Sequence, residues 1–397
     1  MKIKQMDIYV VKIPPTKAVN PKGVRFLTRD YVVSDSNRRS CVYSVNLESV
    51  FVKLTTDDGL SGWGEVLAPT HPEVAATLLE RHLGPMLMDQ NPLQNQVLWD
   101  RMLDTLRERG YTGGYLVDAL AGVDIALWDL KGKALGQPVY MLLGGAYRDR
   151  LRCYCSSIPG ADVSERLETV ARLREEGFGA VKIHTFGRGK HDDLELLRKL
   201  RETYDARELE LMYDAHGKST HTEAYTLGRT LGELDALFFE SPITFEDREG
   251  HRKLAAAVDV AIAVGEPLRT IYDFKSWLAV GAVEVVQPDM GRNGITEMMR
   301  IAHLAEAHHV PFAPHLSAHQ AVGHAATVHV SAAASNFMLY EYQPNALKAC
   351  ASYAQPEFRM EGGELTLPTS PGLGVTMDEQ ALAKVVTAHT TIRAGER

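Results

Sequence analysis

LELMYD (209–214), ALFFE (236–240), AIAVGE (261–266), VEVVQPD (283–289), PFAPH (311–315) and NFMLYE (336–341) each run from apolar residues into one acid or histidine. The closing residues, Asp214, Glu240, Glu266, Asp289, His315 and Glu341, are 26, 26, 23, 26 and 26 positions apart. That interval fits one strand plus the crossover that returns the chain to the next parallel strand. Repetition of the unit predicts an α/β barrel with polar groups at the carboxyl ends of its strands. This is the face on which such barrels carry their chemistry.

Outward from this row, apolar runs near 151–156 and 179–184 supply two earlier strands. Amphipathic segments such as Val163 to Glu176, Asp192 to Tyr204 and Ile295 to His309 fill the gaps. No full helix follows the last strand, so the count is seven βα units and a closing strand. Residues 1 to about 66 instead contain strand runs, with Asp57-Asp58-Gly59 as a hairpin turn, and helical patterns follow over about 73–88, 93–109 and 114–135. SPGLGV (370–375) marks tight turns in the tail. The expected division is an α+β capping domain over 1–135, a modified TIM (β/α)7β barrel over 136–350, and a segment, 351–397, that returns to the cap.

With 397 residues and 45% hydrophobic content, the chain can fill a barrel core and a second unit. A net charge of -8 offers no basic surface for nucleic acid, and no run reaches membrane-spanning length. Met1 to Pro14 alternates like a strand rather than reading as a signal peptide. The expectation is a soluble, cytoplasmic protein acting on a small molecule. Cys41, Cys153, Cys155 and Cys350 are too scattered for a disulfide framework, and Cys153 and Cys155 read as buried thiols. Pro14 to Asp35, carrying Lys17, Lys22, Arg25 and Arg29, reads as a solvated loop or as a lid gripping the far end of an acidic substrate.

Asp214, Glu240 and Glu266 end consecutive strands and therefore converge. Carboxylates this close repel one another unless a cation compensates, and Mg²⁺ suits an all-oxygen set with room left for substrate. Asp289 and His315 end the next two strands, where a carboxylate on one imidazole nitrogen fixes the tautomer and leaves the other nitrogen as a base near its ordinary pKa of ~6.5. Lys182 and His184 share a face of the second strand; beside a cation, His184 is pushed towards its neutral form and becomes a second base. His216, two residues after Asp214, reads as a general acid or as a turn histidine. Glu341 reads as a donor to a developing oxyanion if its site keeps it protonated, or as a salt-bridged barrel residue. His308, His309, His319, His324 and His329 read as ordinary helix and surface histidines.

These residues, with DGLSGWGE (58–65), DIALWDLKGKALGQP (124–138), LLGG (142–145) and PGLGV (371–375), resemble the enolase superfamily and, within it, the mandelate racemase group. The resemblance implies a cap built from both termini, Mg²⁺ dependence, enolisation of a carboxylate substrate and a symmetric homo-oligomer. Family racemases carry a second lysine where this chain has His184 and an asparagine where it has His216; the cycloisomerase branch has a sixth-strand lysine in place of Asp289. Asp-x-His-Gly at the third strand is similar to the galactonate and mannonate dehydratases, and Ser241 replaces a common glutamate. The expected activity is dehydration of an aldonate or aldarate to a 2-keto-3-deoxy acid. His315 or His184 is the expected base, Lys182 the electrostatic partner of the carboxylate end. Racemisation or epimerisation through the same enediolate is the alternative, and a non-catalytic binding protein the remote one.

Overall fold

The computed structural model describes residues 1–14, 24–35, 40–156, 158–184 and 190–395. Ile3–Ile13 lies between Leu47–Thr56 and the C-terminal strand Val386–Arg393, all antiparallel, and Ser61–Val66 completes the sheet. Asp57 to Gly59 makes the expected turn, with Gly59 at φ 83°. The helix Tyr115–Leu135 packs its broad apolar stripe on this sheet, and Gly136 ends it in left-handed conformation. Contact is close because two glycines of the edge strand leave room: a Cβ on Gly64 would lie 1.9 Å from the carbonyl oxygen of Gly122.

Arg150–Ser156, Ala180–His184, Glu210–Asp214, Phe238–Glu240, Ala261–Val264 and Val285–Val286 pair in sequence order, all parallel. The seventh position, around Phe312, is joined by single bridges to Val286 and Phe337, and Tyr340–Tyr342 pairs with Arg150–Ser156. The ring closes through these contacts. Its interior draws one buried residue from each position: Tyr154, Ala180, Met212, Phe238, Ala263, Val285, Ala313 and Leu339. Helices Val163–Glu175, Lys190–Thr203, His221–Glu233, Arg248–Ala255, Thr270–Leu278, Met290–Ala307 and Ala321–Ala333 follow the first seven positions. This is the α/β barrel with an α+β cap.

In the tail, Glu364–Thr366 adds antiparallel to Arg150–Ser156, Ala354–Pro356 pairs with Val375–Met377, and Val386–Arg393 joins the cap sheet. The described part of the supposed 14–35 loop is a hairpin, Val24–Phe26 and Tyr31–Asp35, extended by Ser40–Ser44; Lys17 and Lys22 lie outside the described residues. Among the described residues, no helix is long and apolar enough to cross a membrane, and the four cysteines are free thiols, Cys41 exposed and the others buried.

Aspartates of Tyr115–Leu135 bolt cap to barrel. Asp118 receives both Nε and an Nη of Arg269 at 2.8 and 2.9 Å, and Asp124 accepts the amide and hydroxyl of Thr296 at 2.8 and 2.6 Å. Asp129 ties Trp63 of the cap to Leu373 of the PGLGV turn. Because the gap at Gly64 is closed by backbone on both sides, Gly64→Ala should destabilise the protein by about 3 kcal/mol or more. The check is the urea midpoint of the purified variant; an unchanged midpoint would show that the helix can retreat.

Candidate active site

Side chains two positions beyond the inward-facing layer also point inward, because side chains alternate along a strand. Thus Ala180 leads to Lys182, Met212 to Asp214, Phe238 to Glu240, Val285 to Gln287, Ala313 to His315 and Leu339 to Glu341. The strand period therefore gathers the predicted row above the barrel core. Lys182, His184, Asp214, His216, Glu266, His315 and Glu341 line one cavity of about 650 Å³. Its roof comes from the cap, chiefly Ser40–Ser44, together with Glu48, Pro69 and Thr70. Residues 15–23 of the segment expected to act as a lid lie outside the described residues.

Lys182 is buried with its Nζ 2.6 Å from Glu240 Oε2 and 3.0 Å from Glu341 Oε1. Burial disfavours its charge, but these two carboxylates outweigh that and raise its pKa well above the usual value. Glu240 Oε2 also accepts from the amide of Gln287 at 2.8 Å. Its other oxygen, Oε1, is buried with no hydrogen-bond partner among the described residues, as is Gln287 Oε1. Bare buried acceptors invite a cation.

Ligand atoms of Glu240, Glu266 and His315 lie within 4.8 Å of one another, a spacing that fits one metal ion. Asp214, the third expected carboxylate, is turned along its own loop: Oδ1 accepts the His216 amide at 2.7 Å and Oδ2 sits 3.1 Å from His216 Nδ1. Burial pushes Asp214 and Glu240 up to about 7, Lys182 only partly offsetting it. Glu266 is lowered despite burial because His315, Arg292 and His216 face it.

Of the two readings of Glu341, the structure fits the salt-bridged one. Burial would raise it, yet Lys182, His315 and the Leu316 amide at 2.9 Å hold it at about 2, so it is a carboxylate and no donor. Asp289 and His315 do stand side by side, Nδ1 to Oδ2 2.8 Å, leaving Nε2 towards the cavity 4.0 Å from Glu266. Burial opposes the imidazolium, but Glu266, Glu341 and Asp289 raise His315 to about 10 rather than leaving it near its ordinary value.

Across the mouth, burial, His216 and Lys182 together lower His184 to about 3, so it is neutral. Burial also lowers His216. The two rings meet edge-on, centroids 5.4 Å apart, and His216 adopts a left-handed backbone, φ 48°, that folds it back beside Asp214.

Two residues escaped sequence reasoning. Gln287 sits two before Asp289, so the alternation rule could have found it. His319, read as ordinary, donates from Nε2 to Asp289 Oδ1 at 2.8 Å in a fully buried position. It lies in irregular backbone ahead of the helix Ala321–Ala333, where no periodicity points.

The Enolase C-terminal domain-like family model matches residues 165–381, and the Mandelate racemase / muconate lactonizing enzyme N-terminal domain model matches residues 32–144. The chain is similar to a D-galactonate dehydratase of Variovorax paradoxus, 35% identical over 86% of this chain and 91% of that one. It is also similar to a D-galactarolactone cycloisomerase of Agrobacterium fabrum, 34% identical over 84% and 90%. Among solved structures, an enolase superfamily member from Agrobacterium tumefaciens superposes with TM-score 0.92 at 30% identity, covering 98% of this chain and 99% of the other.

Removing the Lys182 charge leaves two buried carboxylates face to face. Lys182→Met should cost about 3 kcal/mol or more at pH 8, and less at pH 5, where those carboxylates can take up a proton. Denaturant titrations at the two pH values check this; an equal loss at both contradicts it.

Proposed function

The chain belongs to the mandelate racemase and muconate lactonizing enzyme group of the enolase superfamily, and from that premise we propose that it is a Mg²⁺-dependent dehydratase of a sugar acid. The observation that carries this reading is His216, an imidazole packed against both His184 and Asp214 in the cavity. An amide there could hydrogen-bond a hydroxyl, but an imidazole can also protonate one as it leaves.

Asp214, Glu240 and Glu266 would hold the ion, with the bare Oε1 of Glu240 as the supporting feature. When bound, Mg²⁺ supplies the charge that stabilises an enediolate forming from the substrate carboxylate. His184, neutral on its flank, or His315, oriented by Asp289, takes the C2 proton, the choice being set by C2 configuration; His315 acts only from its neutral form, which an ion offsetting the Glu266 charge that raises it would favour. The electron pair left at C2 forms the C2–C3 double bond as the C3–oxygen bond breaks, and His216, protonated for this step with Glu266 and Glu240 favouring the charge that burial opposes, gives that oxygen its proton, releasing water. The resulting enol tautomerises to a 2-keto-3-deoxy acid. Lys182 serves electrostatically at the carboxylate end, with ionised Glu341 as its counter-charge. In this reading the protein is a cytoplasmic homo-oligomer, with domain divisions near residues 135 and 350.

The second reading is an isomerase, and the cycloisomerase relative favours it. Composition of the product separates the two. With MgCl₂ and D-galactonate, or other aldonates and aldarates, the expected product has lost one water by mass spectrometry and contains a 2-keto group. Turnover with unchanged composition supports isomerisation, and solvent deuterium in recovered substrate without any keto acid supports racemisation. His216→Asn should lower dehydration on the order of 10²- to 10⁴-fold while C2 deuterium exchange persists. Loss of both reactions together removes His216 from the role of acid.

Metal affinity carries its own pH signature. Asp214 and Glu240 keep protons up to about 7 in the folded protein, against about 4 for unfolded carboxylates. The folded state therefore binds more protons between those limits, and their contribution to stability falls as pH rises through that window. A divalent ion competes for the same oxygens. The increase in Tm on adding MgCl₂ should thus be larger at pH 8 than at pH 5, and Glu240→Gln should reduce it. A pH-independent increase, or none, counts against the three-carboxylate site.

A further inference from the structure

We propose that His319 is a positioning residue for the reaction, clamping Asp289 from the side opposite His315 so that the His315 ring keeps its Nε2 in the cavity. The inference rests on the dyad reading above. Asp289 is fully buried and each of its oxygens takes two donors. Oδ2 accepts from His315 Nδ1 at 2.8 Å and the Ser317 amide at 3.1 Å; Oδ1 accepts from His319 Nε2 at 2.8 Å and the Gly291 amide at 2.9 Å. The carboxylate plane is thus pinned at both ends. Without the His319 donor, the Oδ1 end keeps only the Gly291 amide, and rotation of the carboxylate carries the His315 hydrogen bond with it.

The surroundings are built for this ring. A Cβ on Gly291 would lie 2.3 Å from His319 Cε1, and one on Gly323 2.5 Å from its Nδ1, so two glycines make its slot. The segment that carries it is anchored from the cap, where Glu65 accepts the amides of Gln320 and Gly323 at 2.7 and 2.9 Å. His319 is not itself among the residues that line the cavity, and its ring meets the dyad through Asp289.

Two variants separate hydrogen bonding from space filling. The amide nitrogen of glutamine reaches about as far as imidazole Nε2, whereas leucine fills similar volume with no donor. His319→Leu should lower kcat on the order of 10- to 100-fold with KM within about twofold, and His319→Gln should recover most of it. The kinetic probe is D-galactonate, or whichever sugar acid the parent turns over, with MgCl₂. Independently of turnover, the Nδ1 proton of His315 in ¹⁵N-histidine-labelled protein, assigned by its loss in His315→Asn, should persist in His319→Gln and shift upfield or broaden in His319→Leu. If Leu unfolds the chain, His319→Asn, too short to reach Asp289, replaces it. Equal losses in the Leu and Gln variants, or an unchanged resonance and kcat in His319→Leu, overturn the proposal. A parent inactive on every sugar acid defeats the dehydratase reading instead, and the resonance still decides the position of His315.

Discussion

A single ammonium, buried between two buried carboxylates, is the contact on which the barrel mouth depends. Lys182 is buried, so its charge is sustained chiefly by Glu240 and Glu341, with Tyr154 and Asp214 adding to them. Around this pair, Asp214, Glu266 and Asp289 add negative charge, answered by His315 and Arg292. Burial is the main reason Asp214 and Glu240 hold their protons more tightly than an ordinary carboxylate; neighbouring carboxylates add to it and Lys182 offsets part of it. A site that penalises its own anions and leaves Glu240 Oε1 bare is chemically primed for a divalent cation.

The cap completes that site rather than merely covering it. Asp118, Asp124 and Asp129 lie in a helix whose other inward positions are apolar, and each engages a residue from a different part of the chain: Arg269, Thr296 and Leu373. Glu65 does the same in reverse, reaching from the cap hairpin to the amides that begin Ala321–Ala333. Tyr43, from the strand that roofs the cavity, has its phenol pushed up by burial, with Cys41, Glu266 and Asp214 adding to the effect. Cap and barrel residues therefore share one electrostatic environment, and the shape of the cavity depends on both.

The barrel was legible because its signal is periodic. Each strand repeats a fixed order of apolar run and polar end, and alternation along a strand decides which side chains share the interior. That rule places Lys182, Asp214, Glu240, His315 and Glu341 without further information. It fails where the backbone leaves regular structure. His319 sits in irregular backbone after a single-bridge strand, so nothing in its spacing distinguished it from His324 or His329. Charge states were equally hidden: whether Glu341 is protonated depends on Lys182 reaching it across the barrel, a distance no local pattern encodes. In the tail, SPGLGV announces turns but not which sheet edge the flanking strands will join.

Under the roles proposed for the imidazoles, the geometry ties the choice of base to the stereochemical course. His184 and His216 occupy the same flank, 5.4 Å apart, whereas His315 faces the cavity from beside Glu266 on the other. If His184 takes the C2 proton and His216 protonates the departing oxygen, both act on one face of the substrate and the elimination is syn. If His315 is the base, the groups act from opposite faces and the elimination is anti. Racemisation has no use for His216, because its two proton transfers occur at one carbon and the opposed pair His184 and His315 suffices. The extra imidazole on the third strand therefore favours elimination, since only that reaction gives a third proton-transfer group a bond to break.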